Sequence, residues 1–166
     1  MPDRRRFGVF GDAGSFSEAA AMLYAQDNNI DPSSFIYLSV MEDLLAAVGE
    51  GEIELGLFPV VNFRGGIVQT AFEAMGKYPF SLVGSLRLNV QHCLITRPGT
   101  ALKDITKIAT HPQALAQCSE YLKREFVHAE QISWNDTASA ARDLAGGKLP
   151  ADCAVIASEH AAKMYN

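Results

Sequence analysis

The sequence lacks most of the features that mark membrane, secreted and disulfide-bonded proteins. No apolar run reaches the roughly 18 residues that a membrane-spanning helix needs. The basic start MPDRRRFG is not followed by the apolar core of a signal peptide. There are only three cysteines, Cys93, Cys118 and Cys153, and none belongs to a CxxC pair. We expect them to be reduced core residues of a soluble, cytoplasmic protein that does not associate with membranes.

Positive charge and nucleotide-binding motifs are also scarce. The 14 Lys and Arg residues are outnumbered by 19 Asp and Glu, which gives a net charge of -5 and argues against a nucleic-acid partner. Gly8, Gly11 and Gly14 follow a G-x-x-G-x-x-G spacing, which is not the dinucleotide fingerprint, and no P-loop occurs. The four histidines do not have metal-ligand spacing. The sequence therefore predicts no metal ion and no cofactor.

Strand and helix signals alternate along the whole chain. Short apolar segments such as RFGVF, FIYLS, ITKIA and DCAVIA are separated by segments with helical periodicity. This alternation is typical of an α/β fold with largely parallel strands. A long extended stretch, FSLVGSLRLNVQHCLIT, could cross between two lobes. We predict lobe one over residues 1–79, with 153–166 returning to it, and lobe two over residues 80–152.

Three predicted strand-to-helix turns combine helix caps with small residues. They are GDAGSFS, ATHPQA with Pro112 in the first helical position, and NDTASAA with Asp136 and Thr137 as capping residues. Each alone is an ordinary cap. Together they favour an anion site, because open α/β sheets bind ligands at the carboxyl ends of strands and helix N-termini stabilise negative charge.

Several stretches resemble the catalytic domain of the prephenate dehydratase family: GDAGSFSEAAA, LGLFPVVNFRGGIVQTAFEAM, LVGSLRLNVQHCLI, IATHPQALAQCSEYL and DTASAA. They occur in the family's order and spacing and span nearly the whole chain. The resemblance implies a two-lobed fold of the periplasmic-binding-protein type (type II). It also implies that prephenate, a small dicarboxylate, binds in the cleft. The expected activity belongs to phenylalanine biosynthesis and turns prephenate into phenylpyruvate, water and CO₂ without a cofactor.

Carried over position by position, the resemblance implies a set of substrate-binding side chains. None of them is an intact catalytic group, and His111 is the first candidate if an acid lies within these residues. The implied binding residues are Ser15, Ser17, Asn62, Thr110, His111, Gln113 and Thr137.

Two departures from the family pattern bear on activity. The family loop Pro-x-Glu-Asn-Ser/Thr reads PVVNF here, with Val61 for the glutamate and Phe63 for the hydroxyl residue. We expect Phe63 and the following Arg64 to fill space that substrate would occupy. The family's Thr-Arg-Phe motif, whose threonine is thought to protonate the leaving hydroxyl, is not among the 166 residues. We therefore expect an incomplete catalytic apparatus and slow turnover.

The sequence is compatible with three functions. The first is a prephenate dehydratase, or its catalytic domain cut short, and it describes most of the chain best. The second is a non-aromatising prephenate decarboxylase, a related enzyme type that lacks the threonine acid. The third is a non-catalytic domain that binds a carboxylate or a partner protein. Because the expected closing strand of lobe one is missing from the sequence, we also expect a homodimer or a larger assembly.

Overall fold

The computed structural model of the chain describes residues 5–63 and 65–165. The chain divides into two compact units, Met1–Asn89 and Val90–Asn166. Each unit has its own open sheet and its own buried clusters of apolar side chains. No helix in the described residues is both long enough and apolar enough to cross a bilayer.

The first unit is built on a three-stranded parallel sheet with a small hairpin beside it. The sheet has the order β2-β1-β3, and Phe7 pairs with both Phe35 and Leu55. In chain order the elements are β1 (Phe7–Phe10), α1 (Phe16–Asn28), β2 (Phe35–Leu38), α2 (Met41–Gly49), β3 (Leu55–Leu57), β4 (Val61–Asn62), β5 (Gly66–Ile67) and α3 (Gln69–Met75). A 3₁₀ turn at Pro32–Ser34 precedes β2.

The core of the first unit follows from the strand and helix periods. Phe7 and Val9, two residues apart, point to one face of the sheet and pack with Ala21 and Ala25, which lie one turn apart on α1. Phe7 also makes edge-to-face ring contacts with Tyr24 and Phe35. A second buried cluster joins apolar side chains of α2 and α3. These contacts fix where β1 and α1 meet, and so they fix the glycine turn between them.

The second unit is a four-stranded mixed sheet of order β6-β9-β7-β8. Strand β7 runs parallel to β8 and β9, whereas β6 is antiparallel to β9. In chain order the elements are β6 (His92–Ile95), β7 (Lys107–Thr110), α4 (Pro112–Gln117), α5 (Ser119–Glu125), β8 (Glu130–Ser133), α6 (Thr137–Ala145), β9 (Cys153–Ser158) and α7 (Glu159–Tyr165). A 3₁₀ turn at Leu102–Asp104 precedes β7.

Strand β9 is buried along its whole length and supports both faces of the second unit. Val155 packs with residues of α6 such as Leu144 on one face. Ile156 packs with Leu122 and Phe126 on the other face. Successive side chains of a strand alternate between faces, so a strand with helices on both sides has to be apolar throughout.

The position of β9 corrects the predicted domain boundaries. Residues 153–166 were expected to return to lobe one, but Cys153–Ser158 is hydrogen-bonded between β6 and β7 in the second unit. The strand CAVIAS is buried on both faces and lies between two other strands of this sheet. The division between the units also falls after Asn89 and not after residue 79.

Several predicted elements differ from the observed ones. The helical pattern HPQALAQCSEYLKREF predicts one helix over residues 111–126, but the chain forms two helices that meet at Cys118, where the backbone leaves helical geometry (φ -99°, ψ 5°). The pattern GIVQTAFEAMG predicts a helix from Gly66, but the helix begins at Gln69, because Gly66–Ile67 pairs as β5. Ser39, with Glu42 three residues on, has the pattern of a cap for α2, but its hydroxyl lies 3.1 Å from Asp12 Oδ1 and Val40 is the N-cap residue.

Candidate anion-binding turns

Sheet topology gathers the predicted binding residues at one edge of each sheet. Strands β1 and β3 are parallel neighbours, so the connections that carry Ser15, Ser17 and Asn62 leave the carboxyl edge of the first sheet. Strands β7 and β8 are also parallel neighbours, so residues 110–113 and Thr137 leave the carboxyl edge of the second sheet. This is the edge at which open α/β sheets hold ligands.

The glycine turn after β1 needs its glycines for their backbone angles. Gly11 and Gly14 have φ values of +94° and +85°, a region that residues with a Cβ rarely adopt. Ser15 then caps α1, because its Oγ accepts a hydrogen bond from the Glu18 backbone N–H at 3.1 Å. Ser17 lies in the first turn of α1 and is half-buried. The turn is therefore stabilised by local geometry without any ligand.

Glu18 places a carboxylate of the protein itself inside this turn. Its side chain is only 5% exposed, and its Oε2 accepts a hydrogen bond from the Gly14 N–H at 2.6 Å. The Tyr37 hydroxyl donates to the other carboxylate oxygen. The Gly11 N–H donates to the Leu38 carbonyl at 2.9 Å. Glycine N–H groups in such a turn are candidates for holding an anion, but those of Gly11 and Gly14 already bond within the protein.

Glu18 could be found only in part from the sequence. The Ser-x-x-Glu pattern of Ser15 and Glu18 predicts a capping box, in which the glutamate bonds the backbone of the capping residue. Here the carboxylate reaches one residue further, to Gly14. Its second partner, Tyr37, comes from β2 and depends on strand pairing that the sequence does not specify.

The hairpin after β3 carries the departures from the family pattern. Asn62 Oδ1 accepts a hydrogen bond from the Gly65 N–H at 3.1 Å and so closes the hairpin. Phe63 is 86% exposed, and the Arg87 guanidinium lies 5.5 Å from its ring centroid, a cation–π distance. Phe63 therefore lies in open space at the hairpin, and the expectation that it fills space for substrate stays a prediction. Val61 is also exposed, and Arg64 lies outside the described residues.

The turn after β7 uses Thr110 and His111 in different ways. Thr110 is fully buried, and its hydroxyl donates to the Ile156 carbonyl of β9 at 2.6 Å. His111 caps α4, since its Nδ1 accepts a hydrogen bond from the Gln113 N–H at 3.2 Å. A neutral imidazole that accepts at Nδ1 carries its proton on Nε2. His111 therefore offers an N–H donor, whereas the Thr110 hydroxyl is already engaged inside the sheet.

The turn after β8 is capped by Asp136. Asp136 Oδ1 accepts a hydrogen bond from the Ser139 N–H at 2.7 Å. Thr137 is the first residue of α6 and its side chain is half-buried. The prediction that both residues cap the helix is met by Asp136 alone. Thr137 keeps its hydroxyl beside the N-terminus of α6.

Asp143, which the sequence did not single out, fixes the position of α6 relative to β8. This buried carboxylate accepts hydrogen bonds from Lys148 Nζ at 2.8 Å and from Trp134 Nε1 at 3.3 Å. Trp134 directly follows β8. The hydrogen bond from Lys148 holds the pKa of Asp143 below its ordinary value of 3.8, against the effect of burial. The contact therefore ties α6 to the residue that follows β8 and so stabilises the turn at Asp136.

Comparison with known proteins shows the family of the chain. The sequence profile described as prephenate dehydratase matches residues 7–166. The chain belongs to the prephenate dehydratase family. It is 31% identical over 163 residues to arogenate dehydratase/prephenate dehydratase 2, a chloroplastic protein of Arabidopsis thaliana, covering 98% of this chain and 40% of that protein.

Two solved structures support the fold. A prephenate dehydratase from Arthrobacter aurescens in complex with L-Phe is 26% identical with a TM-score of 0.72, covering 95% of this chain and 51% of that chain. The quorum-quenching acylase GqqA has a TM-score of 0.78 at 24% identity, covering 96% of this chain and 55% of that one, and shows the fold alone. The chain thus spans about two fifths of the first curated relative and about half of these solved chains.

Proposed function

We propose that this chain binds prephenate and takes part in its conversion to phenylpyruvate, water and CO₂. The proposal is carried by the family match over residues 7–166, within which the predicted turns lie at the carboxyl edges of the two sheets. Helix N-termini and polar side chains at such edges suit carboxylates. Prephenate carries two carboxylates, and the Arabidopsis relative is named for prephenate and arogenate.

The reaction sets two requirements for the protein. The bond between the ring and its carboxylate breaks, its electron pair enters the ring, and the hydroxyl on the opposite carbon leaves. The hydroxyl takes up one proton and departs as water, while the ring becomes aromatic and the carboxylate departs as CO₂. The protein therefore has to hold the carboxylates and supply one proton, and a positioned acid contributes about 10²–10⁴ in rate.

The hydrogen bonds divide the predicted residues into two groups. Ser15, Thr110 and Asn62 use their side-chain oxygens within the protein. The side chains of Ser17, Gln113 and Thr137 make no hydrogen bond to the described part of the chain. We assign carboxylate binding to this second group, and to the imidazolium form of His111 the proton for the leaving hydroxyl, since a neutral imidazole is too weak an acid.

The test is incubation of the purified chain with prephenate near neutral pH, with arogenate assayed in parallel. Prephenate aromatises unaided in acid, so the rate is read against a blank without protein. Phenylpyruvate formed faster than in the blank, and in proportion to the protein, supports the proposal. A decarboxylated product that is not aromatic favours the decarboxylase. Binding without turnover favours the non-catalytic domain that binds a carboxylate, and neither binding nor turnover contradicts the proposal.

Two residues of the hairpin support the decarboxylase and the non-catalytic domain as alternative functions. Val61 and Phe63 stand where the family resemblance expects a carboxylate and a hydroxyl, and both are exposed at the hairpin. The double substitution Val61→Glu with Phe63→Ser restores both groups. A rise in phenylpyruvate formation in this variant supports a dehydratase weakened at the hairpin.

We infer a cytoplasmic homo-oligomer. All three cysteines are thiols in the structure, which suits a reducing compartment. Exposed apolar side chains such as Leu82 and Ile67 suit contact with another chain.

A further inference from the structure

Trp134, the one tryptophan of the sequence, is bonded to the elements that carry both candidate turns of the second unit. It directly follows β8 and is half-buried. Its backbone N–H donates to the Thr110 carbonyl at 2.9 Å. Its indole Nε1–H donates to Asp143 Oδ2 on α6 at 3.3 Å. A single residue therefore bonds the connection that carries His111 and the helix that carries Thr137.

The backbone bond of Trp134 fixes the turn after β7. Thr110 is the last residue of β7, which lies between β8 and β9 in the sheet. The Thr110 hydroxyl donates to the Ile156 carbonyl of β9 at 2.6 Å, while its own carbonyl accepts from Trp134 at the end of β8. Both neighbours of β7 thus hold Thr110, and the next residue, His111, caps α4 from a fixed position.

The indole bond of Trp134 fixes α6, whose first residue is Thr137. Asp143 lies further along the same helix, about 9 Å from Thr137 at the helical rise of about 1.5 Å per residue. Its carboxylate is buried and also accepts a hydrogen bond from Lys148 Nζ at 2.8 Å. Because this acceptor is ionised, the bond from the indole is stronger than a bond between neutral groups. A helix this short is stiff, so holding Asp143 also holds Thr137.

Packing of the indole ring supports both bonds. The ring of Trp134 packs against a buried cluster that contains Ala109 of β7 together with Ala140 and Leu144 of α6. An aromatic side chain has only two χ angles, so packing holds it in one orientation at little cost in conformational entropy. The direction of the indole N–H towards Asp143 is therefore set by the core on which β7 and α6 both rest.

We propose that Trp134 is a positioning residue, which sets the separation between the turn of His111 and Gln113 and the turn of Thr137. The inference rests on the proposed function, since prephenate is assigned to both turns. A ligand held from two turns binds more tightly when their separation is already correct, because ordering them on binding costs free energy. A misplacement of about 1 Å can cost about 10²-fold in rate. Trp134 acts only through the residues that it bonds.

The first test compares two substitutions that each remove one hydrogen bond from Asp143. Trp134→Phe removes the indole N–H and keeps an aromatic ring, whereas Lys148→Gln removes the charged partner and keeps the indole bond. Both variants are titrated with prephenate in a calorimeter, at a temperature at which denaturation curves show them folded. We expect the dissociation constant to rise about tenfold in Trp134→Phe and to stay within about twofold in Lys148→Gln. Unchanged affinity in Trp134→Phe, or an equal loss in both variants, overturns the inference.

The second test changes the acceptor and leaves Trp134 in place. Asp143→Asn keeps an oxygen that accepts from the indole N–H, whereas Asp143→Leu has no acceptor. We expect Asp143→Asn to bind prephenate nearly as tightly as the unaltered chain, although it is less stable, and Asp143→Leu to bind about tenfold more weakly. An affinity that falls with stability in both variants overturns the inference and leaves prephenate binding intact. An unaltered chain that does not bind prephenate contradicts the proposed function, and the inference with it.

Discussion

At the scale of residues, helix capping and ligand binding draw on the same side chains. Ser15 and His111 were predicted as binding residues, and both are N-caps in the structure. The sequence shows which residue types follow a strand, and it placed all seven candidates near the sheet edges. It could not show which polar atoms are already used within the protein, because Tyr37 and Ile156 come from other strands.

A cap-preserving substitution separates the two roles of His111. Asparagine caps helices well but does not donate a proton at neutral pH. Alanine neither caps a helix well nor donates a proton. We expect His111→Ala to lower the free energy of unfolding by about 1 kcal/mol and His111→Asn to leave it nearly unchanged. Both should lower the rate of phenylpyruvate formation by about 10²–10⁴. Urea denaturation and the prephenate assay measure these effects, and full activity in His111→Asn would exclude His111 as the acid.

Glu18 is expected to stabilise the glycine turn through its buried hydrogen bonds. Glu18→Ala removes the acceptor from the buried Gly14 N–H, which should cost about 1–3 kcal/mol in the free energy of unfolding. Glu18→Gln keeps an oxygen acceptor and should cost less than the alanine variant. Denaturation curves of the two variants test this order. An alanine variant as stable as the unaltered chain would contradict the role of Glu18.

At the scale of elements, strands and helices with a clear period were predicted well, whereas their ends and partners were not. The segments RFGVF and DCAVIA are strands as predicted. The break at Cys118 and the hairpin at Gly66–Ile67 were missed, because both depend on packing against other elements.

Two threonines of the second unit should respond differently to the same substitution. Thr110→Val removes a buried donor to Ile156, so we expect a loss of stability of about 1–2 kcal/mol and unchanged prephenate affinity. Thr137→Val removes a hydroxyl at the start of α6, so we expect weaker prephenate binding and nearly unchanged stability. Thermal denaturation and titration calorimetry measure the two properties. The reverse pattern would assign the binding role to Thr110.

The contact of Asp143 with Lys148 predicts a pH dependence of stability. The pKa of Asp143 is lowered in the folded chain, so its ionised form stabilises the fold above the ordinary value of 3.8, and this contribution is lost as the pH falls through the folded-state value. We expect Asp143→Asn to be less stable than the unaltered chain at neutral pH, with the difference shrinking in acid.

Glu159→Gln is the control for Asp143→Asn. Glu159 also pairs with a lysine, Lys163 at 2.7 Å, but both side chains are at least 70% exposed. Exposed pairs contribute little to stability. Denaturation midpoints measured across an acid series should therefore separate the two variants. A pH dependence unchanged by Asp143→Asn would contradict the role of this carboxylate.

At the scale of the whole molecule, the α/β class and the family follow from motifs spread along the chain, and the family match confirms them. The domain boundaries were harder to predict. The apolar pattern of a strand such as CAVIAS does not show which unit the strand belongs to. Only its pairing with β6 and β7 assigns it to the second unit. The predicted set of binding residues remains a prediction.

We propose above all that the chain binds a dicarboxylate such as prephenate. Titration calorimetry with prephenate and with phenylpyruvate, which has one carboxylate fewer, measures this binding. A charge-assisted hydrogen bond contributes about 1.5–3 kcal/mol, so we expect prephenate to bind at least about tenfold more tightly. Equal affinity for both compounds, or no heat of binding for prephenate, would contradict the account.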